Sequence, residues 1–434
     1  MIVLPFQSSS QALKASLSAV EDEACLMLTD AGLQANDIVW HRLGRERLEQ
    51  VARDAGAGLV FTDYYGHPLI DYQTGSLRDD FDFGKVVLLR MDAVRNVLDQ
   101  LPDDLQFGAF YALRLALSRH YPILHLKETL YRLLPQEHID KEARQFAYVD
   151  PKLRAYQLEM EAICTEHLKM TGAFLSERVL SIDPNMGDFP VEASVVIPVR
   201  NRVRTIGEAV LSALQQQCDF PFNVIVVDNH SNDGTSEALL SLAREHANLQ
   251  VLRPEADDLN IGGCWNLAID SPCCGRYAVQ LDSDDLYSSP ATLQQIVDVF
   301  RRERCAMVVG SYRICNFQKE PLPPGLIDHR EWTAGNGHNN ALRINGLGAP
   351  RAFFTPMLRD LHLPNTSYGE DYAVGLAITR RYRLGRIFDE LYLCRRWEGN
   401  SDANISQEKL NANNSYKDSL RSIEILARQA MNRP

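Results

Sequence analysis

Between Phe222 and Asp228 the chain reads Phe-Asn-Val-Ile-Val-Val-Asp, an unbroken apolar stretch that closes on an acid. Such a run lacks polar alternation, so neither face is suited to water, and a strand inside a parallel sheet covered on both sides is the economical solution. Ala193-Ser194-Val195-Val196-Ile197-Pro198-Val199-Arg200-Asn201 has the same character and breaks at its proline. Thr205 to Leu214 follows with helical spacing, and Thr235 to His246 forms a second helix, with Ser231, Asn232 or Asp233 as candidate caps. The series is β-α-β-α, with polar residues collected at the carboxyl ends of strands, where open parallel sheets bind ligands. Asp228 is placed to accept hydrogen bonds from a base or ribose, and equally to shape its own turn.

A third apolar run, Tyr277-Ala278-Val279, leads into Gln280-Leu281-Asp282-Ser283-Asp284-Asp285-Leu286-Tyr287. Three carboxylates within four positions repel one another, and the arrangement becomes useful when a hard divalent cation lies between them. Oxygen ligands of this kind suit magnesium or manganese, which clamp a diphosphate. An Asp-x-Asp is also common in surface turns, so its surroundings decide. Farther along, Tyr368-Gly369-Glu370-Asp371-Tyr372 opens a helical pattern through Leu376, Ile378 and Tyr382. Acids in a first helical turn are comfortable with the dipole, and capping alone is one reading of them.

Five features then stand in order: the Val-Ile-Pro-Val-Arg-Asn start, Val-Val-Asp-Asn with Asn232-Asp233-Gly234-Thr235, Asn260-Ile261-Gly262-Gly263 leading to Asn266, Asp282-Ser283-Asp284, and Glu370-Asp371-Tyr372. On these, residues 193 to about 400 resemble a family 2 glycosyltransferase of the GT-A fold, an α/β architecture with a Rossmann-like mixed sheet. The resemblance implies that Pro198, Val199, Arg200, Asn201 and Asp228 hold the base and ribose of a nucleotide sugar, with Asn260 and Gly262 as further nucleotide contacts. It implies that Asp282-Ser283-Asp284 brings in Mn2+ or Mg2+, Asp284 as direct ligand and Asp282 nearer the ribose. Asp371, beside Glu370, would be the base that deprotonates the acceptor hydroxyl, and attack opposite the diphosphate would invert the anomeric centre. Two departures stand out. Trp265 occupies a position where members often carry arginine, and the turn Gly262-Gly263-Cys264-Trp265 is short. Arg396 and Trp397 lie where the family has a basic, aromatic loop over the donor; a diphosphate contact and a sugar platform compete there with a surface ion pair and a half-buried aromatic. Glu320 to Gly348 is rich in proline and glycine and reads as a long loop on the acceptor side, with His338 and Asn345 as candidate acceptor contacts.

The amino-terminal region repeats part of this pattern. Phe107 to Tyr121 aligns without gaps with Tyr368 to Tyr382, and the register continues to Leu130-Tyr131 against Leu391-Tyr392. Gly58 to Tyr65 resembles Ala306 to Arg313, and Val86 to Arg90 resembles Ala352 to Pro356; a helix-like segment follows each copy, Pro151 to Leu175 and Glu408 to Ala430. An internal duplication is the economical explanation. Ala109 and Phe110 would then replace Glu370 and Asp371, and neither can accept a proton. The expected organisation is a truncated, silent glycosyltransferase-like domain over 1–180, a linker over 181–192 and a GT-A domain with a C-terminal helical segment over 193–434. For the first domain, acceptor binding, self-association and bracing are the roles considered.

A chain of 434 residues exceeds what one core usually organises. The net charge of −12 argues against a broad nucleic-acid footprint. Nine scattered cysteines show neither a disulfide framework nor zinc spacing, and with no apolar leader or bilayer-length run the expectation is cytoplasmic. A lipid-linked acceptor would bring such a protein to the inner membrane face, and a homo-oligomer is left open. The leading expectation is transfer of a sugar, from a UDP-sugar in preference to a GDP-sugar, to a hydroxyl of a saccharide or glycoconjugate. The alternatives are a non-catalytic GT-A binding or assembly protein and, less favoured, a nucleotidyltransferase, which should carry a phosphate-gripping loop that the sequence lacks.

Overall fold

The computed structural model describes residues 1–134, 154–176, 179–330, 335–400 and 405–433. The chain divides into two compact units, Met1–Phe174 with Leu342–Ile344 and Ile405–Pro434, and Leu175–Ala341 with Asn345–Asn404. This departs from a cut near residue 180, because the C-terminal helical segment groups with the first unit.

The first unit is built on β1 (Val3–Leu4), β2 (Ala24–Leu28), β3 (Ile38–Trp40), β4 (Leu59–Tyr64), β5 (Val86–Arg90) and β6 (Ile123–Leu133). Their order in the sheet is β1-β2-β5-β4-β6-β3. Helices α1 (Ser10–Ser18), α2 (Gly44–Asp54), α3 (Met91–Val97), α4 (Ala109–Ser118) and α5 (Arg154–Met170) accompany it. All five residues of β2 are buried, as its apolar sequence demands. Residues 151–153, which open the first helix-like segment of the sequence, lie outside the described residues.

The second unit contains β7 (Ala193–Val199), β8 (Phe222–Asp228), β9 (Leu249–Leu252), β10 (Tyr277–Gln280), β11 (Leu286–Tyr287), β12 (Met307–Cys315), β13 (Pro321–Ile327), β14 (Arg351–Phe354) and β15 (Leu384–Arg395). Helices α6 (Ile206–Leu214), α7 (Thr235–Glu245), α8 (Ile261–Asp270), α9 (Thr292–Glu303), α10 (Thr355–Leu361) and α11 (Glu370–Thr379) join them, and α12 (Gln407–Asn432) ends the chain in the first unit. Strand order is β11-β15-β12-β14-β10-β7-β8-β9, with β13 paired to β12. β10, β7, β8 and β9 run parallel, whereas β14 is antiparallel to both β10 and β12. The expected mixed α/β sheet is present, and the apolar runs of β7 and β8 lie in its parallel half, with Val195, Val196, Ile197 and Val224 to Val227 fully buried. The stretch expected to be one long loop contains β13, despite its prolines. It lies outside the main strand path and, among the described residues, pairs with β12 alone, where missing N–H donors are tolerated.

The two sheets share a plan. Without β8, β9 and β13, the second sheet reads β7-β10-β14-β12-β15-β11, which matches β1-β2-β5-β4-β6-β3 strand for strand. β4 is antiparallel to β5 and parallel to β6, as β12 is to β14 and β15. Leu59 pairs with Ile123 and Met307 with Leu384; Tyr64 pairs with Tyr131 and Tyr312 with Tyr392, each beyond a register irregularity. Leu59 also faces Leu89 and Met307 faces Phe353, so Leu88, not Val86, takes the place of Ala352. The sequence alignment of those two strands is therefore out by two residues, whereas α4 and α11 begin at Ala109 and Glu370 as aligned.

Buried charge is concentrated on α12. Asp418, fully buried, accepts from Arg421 Nη1 at 2.8 Å and Ser76 Oγ at 2.8 Å, and pairs with Arg78 Nε at 3.5 Å. Removing one partner of such a cluster strands the others without water, so Asp418→Ala should cost about 3–5 kcal/mol. Urea unfolding would read this as a lower midpoint; an unchanged midpoint would show that the arginines find other partners.

Candidate active site

The second unit gathers its acids at the carboxyl end of β10 and the start of α11. Gly369, at φ 78, turns the chain in a left-handed conformation natural to glycine and sets Glu370 and Asp371 in the first helical turn. That helix entrance is buttressed by α8. A side chain at Gly262 would collide with the Pro364 carbonyl, and Gly262 N donates to Thr366 O at 3.0 Å. Asn260 N donates to Asn365 Oδ1 at 2.7 Å, and Ser367 Oγ donates to Asn260 Oδ1 at 2.9 Å. Asn260 and Gly262 therefore hold the loop before α11.

Arg351, the first residue of β14, stands among the acids. Its Nη1 lies 2.9 Å from Asp371 Oδ2 and donates to Gly348 O at 2.6 Å. Its backbone N–H donates to Gln280 Oε1 at 3.1 Å, and Gln280 Nε2 donates to Asp282 Oδ1 at 2.9 Å. Burial opposes the charge on Arg351, but Asp371, Asp282 and Glu370 together raise its pKa. Glu370 is buried, and its Oε2 has no hydrogen-bond partner among the described residues. Desolvation first, then the Asp371 charge, push its carboxyl up to about 8.

Asp282 opens to solvent at residue level, yet protein hems in its carboxyl; burial raises its pKa, Arg351 and Gln280 oppose the rise, and Asp284 adds to it. Asp285 is buried and raised further, by desolvation and then by Asp282 and Asp284, although its Oδ1 accepts from Arg395 N at 2.8 Å. Asp284 Oδ2 accepts from Trp397 Nε1 at 3.1 Å and Asn400 Nδ2 at 3.3 Å, with Arg202 Nε at 3.9 Å. Trp397 is flanked by the guanidinium of Arg204, 5.1 Å from its ring centroid, and by that of Arg202 at 5.9 Å. It meets Phe317 edge-on at 5.6 Å. Ser283 is tied through its carbonyl, which accepts from Thr205 Oγ1 at 3.0 Å. Arg396 is half-buried, and its backbone N–H donates to Cys315 O at 2.8 Å.

Among the described residues no group of three or more His, Cys, Asp or Glu side chains is arranged to hold a metal ion. Asp282 and Asp284 nevertheless suit one. A magnesium-type ion takes one or two carboxylates and completes its shell with phosphate oxygens and water. Burial does most to raise Asp282, and the repulsion that Asp284 adds is what a cation would relieve.

The nucleotide-side residues lie at the ends of β7 and β8. Pro198 and Val199 close β7, Arg200 is exposed, and Asn201, at φ 54, accepts from Asn232 N at 2.8 Å. Asp228 is inward-turned: Oδ1 accepts from Ser231 N at 3.1 Å and Oδ2 from the Ser236 hydroxyl. Its neighbour Asn229 stands in the Val-Val-Asp-Asn motif, yet sequence alone assigns it no role. It is buried, its amide nitrogen donates to Leu259 O at 2.7 Å, and its Oδ1 has no partner among the described residues. Arg351, Arg202 and Asn400 were missed as well, their partners being distant in sequence. His338 is buried with Nε2 3.3 Å from Leu175 O, and Asn345 is half-buried.

The model of glycosyl transferase family 2 matches residues 194–360, which hold nearly all of β7 and the strands from β8 through β14, with Asp282, Asp284 and Arg351 but not Glu370 and Asp371. Among curated proteins, the O-antigen chain rhamnosyltransferase RfbN of Salmonella typhimurium is 27% identical over 120 residues, 28% of this chain and 37% of that protein. An uncharacterized glycosyltransferase, YfnE of Bacillus subtilis, is 47% identical over 51 residues, 12% of this chain and 13% of that protein. The chain thus spans little more than a third of the length of the first of these and less of the second. Solved structures with similarity include TarS 1-349 of S. aureus in complex with UDP-GlcNAc, at 20% identity and TM-score 0.40, covering 55% of this chain and 72% of that one. The mannosyltransferase PcManGT of Pyrobaculum calidifontis, in complex with GDP-Man and Mn2+, has 17% identity and TM-score 0.40, covering 65% and 85%. The similarity to glycosyl transferase family 2 is thus carried by residues 194–360 of the second unit.

Proposed function

We propose that the second unit is an inverting, metal-dependent glycosyltransferase that moves a sugar from a nucleoside diphosphate, UDP in preference to GDP, to a hydroxyl of a saccharide or glycoconjugate. The observation that carries the reading is Arg351 ion-paired to Asp371 and linked through Gln280 to Asp282, which sets a donor-side acid and an acceptor-side base on one arginine. Similarity to an O-antigen chain rhamnosyltransferase is in keeping with a saccharide acceptor.

In this reading Asp284 and Asp282 hold Mn2+ or Mg2+, which when bound neutralises charge gathering on the diphosphate. Asn229 offers its buried Oδ1 to a base N–H, and Asp228 shapes the turn beneath it. Asp371 takes the proton from the acceptor hydroxyl as its oxygen bonds the anomeric carbon; the carbon–oxygen bond to the diphosphate breaks and that oxygen keeps the electron pair. Glu370, whose carboxyl is raised to about 8, keeps its proton at neutral pH, so two negative charges do not compete for Arg351.

On the same reading the first unit is a truncated, silent copy. Its matching sheet supports a duplication, and Phe110 stands where Asp371 would. Phe110 packs edge-on against Phe83 at 5.7 Å, and Phe83 lies 4.7 Å from Phe81 and 5.0 Å from Phe61, so aromatic rings occupy the place of the acid pair.

A panel of nucleotide sugars assayed for metal-dependent release of the nucleoside diphosphate tests the reading, and no release with any donor and a broad acceptor mixture would count against it. Asp371→Asn should lower turnover about a hundredfold or more while leaving UDP binding intact. Asp284→Asn should weaken UDP binding in the presence of Mn2+ but leave metal-free binding alone. Equal turnover in the first, or equal metal-dependent affinity in the second, rejects the assigned role.

Glu370 also makes stability depend on pH. Below the ordinary carboxyl range the group is neutral folded and unfolded, so nothing is lost. Between about 4.5 and about 8 the unfolded chain ionises while the folded one keeps its proton, so stability falls with rising pH and levels off above that window. Glu370→Gln removes this dependence. Its unfolding free energy relative to the parent should rise by at least about 1 kcal/mol between about pH 5 and about pH 8.5. Parallel pH curves for the two proteins would place Glu370 outside this account.

A further inference from the structure

We propose that Arg351 is a positioning residue of the transfer reaction, its guanidinium aiming the Asp371 carboxylate from a strand whose main chain is tied through Gln280 to the donor-side acid. The proposal rests on the glycosyltransferase reading above and adds Arg351 to its named residues. Three observations carry it.

The first is geometric. A guanidinium has five fixed N–H donors and cannot surrender its charge, so a carboxylate 2.9 Å away is both neutralised and oriented. Both side chains are only partly exposed, Arg351 at 18% and Asp371 at 23%, so the pair is shielded from the screening that makes surface pairs weak. The arginine is itself fixed: Nη1 donates to Gly348 O, its main-chain N–H donates to Gln280, and its backbone pairs with Val309. The charged groups that act on Arg351 are Asp371 and Glu370 on α11 and Asp282 after β10, with Tyr392 on β15, and Arg351 and Glu370 are the ones beside Asp371.

The second is the unshared Gln280 bridge. One amide accepts from the Arg351 main-chain N–H and donates to Asp282, so the strand that carries the guanidinium is held beside the donor-side acid whatever side chain stands at 351.

The third is an internal control. In the first unit, Val87 precedes Leu88 as Arg351 precedes Ala352, Met27 holds the register position of Gln280, and Phe110 is second in its helix as Asp371 is in α11. Arginine, glutamine and aspartate are lost together, while strand order, strand direction and register are kept. The fold therefore does not need Arg351, and valine is an occupant that this sheet plan already accepts.

Arg351→Val and Arg351→Lys in the full chain test the proposal. For the transfer reaction, kcat of Arg351→Val should fall at least about tenfold, and the acidic limb of its pH profile should move up by about one unit. Affinity for UDP with Mn2+ should stay within about threefold, and Arg351→Lys should recover part of the loss. A merely structural arginine would lower affinity and turnover together without moving the pH limb, and that outcome overturns the proposal. A second readout needs no substrate. With 13C-carboxyl aspartate, the Asp371 resonance, identified by its loss in Asp371→Asn, should titrate at higher pH in Arg351→Val than in the parent. An unchanged midpoint overturns the proposal even if transfer is found. A shifted midpoint with no transfer from any nucleotide sugar would refute the enzymatic reading and leave the ion pair standing.

Discussion

Like charges forced together govern the second unit. Asp282, Asp284, Asp285, Glu370 and Asp371 meet at one end of the sheet, and each answers repulsion and desolvation differently. Glu370 and Asp285 are pushed toward their protonated forms, Asp371 is matched by Arg351, and Asp284 is satisfied by neutral donors from Trp397 and Asn400. Burying such a set has no folding advantage over apolar packing. Its presence is intelligible if a cation and a diphosphate complete the charge balance when they arrive.

The first unit shows what the same sheet does without that burden. Where the second unit places Arg351, Gln280 and Asp371, the first has Val87, Met27 and Phe110, and the space is packed with aromatic rings. Charge persists there in another place. On α12, Asp418, Arg421, Glu424 and Arg428 are buried and paired within the helix, and Arg78 reaches Asp418 from the rest of the unit.

Much of the donor side could be read from the sequence, because strands buried on both faces leave unbroken apolar runs and end abruptly at polar residues. β7, β8, α6 and α7 were legible for that reason, and the acids of α11 because a helix start tolerates them. β13 was not, since three of its seven residues are proline and only its pairing with β12 makes it a strand. The pairing of β5 with β14 was misjudged by two residues, because apolar runs carry no internal mark of register; their partner strands set it. Arg351 and Asn229 escaped notice for a related reason. Their importance lies in what stands opposite them, Asp371 for one and an empty acceptor direction for the other. Asp228, chemically the more obvious group, spends its oxygens on Ser231 and Ser236.

The claim that the acid cluster is completed by a cation shared with a diphosphate is open to direct spectroscopic test. Electron paramagnetic resonance of Mn2+, titrated with the full chain in the presence and absence of UDP, reads bound metal without requiring turnover. Strong loss of the free Mn2+ signal only when protein and UDP are both present is the result expected. A free signal no lower with protein and UDP together than with UDP alone would contradict the account at its base.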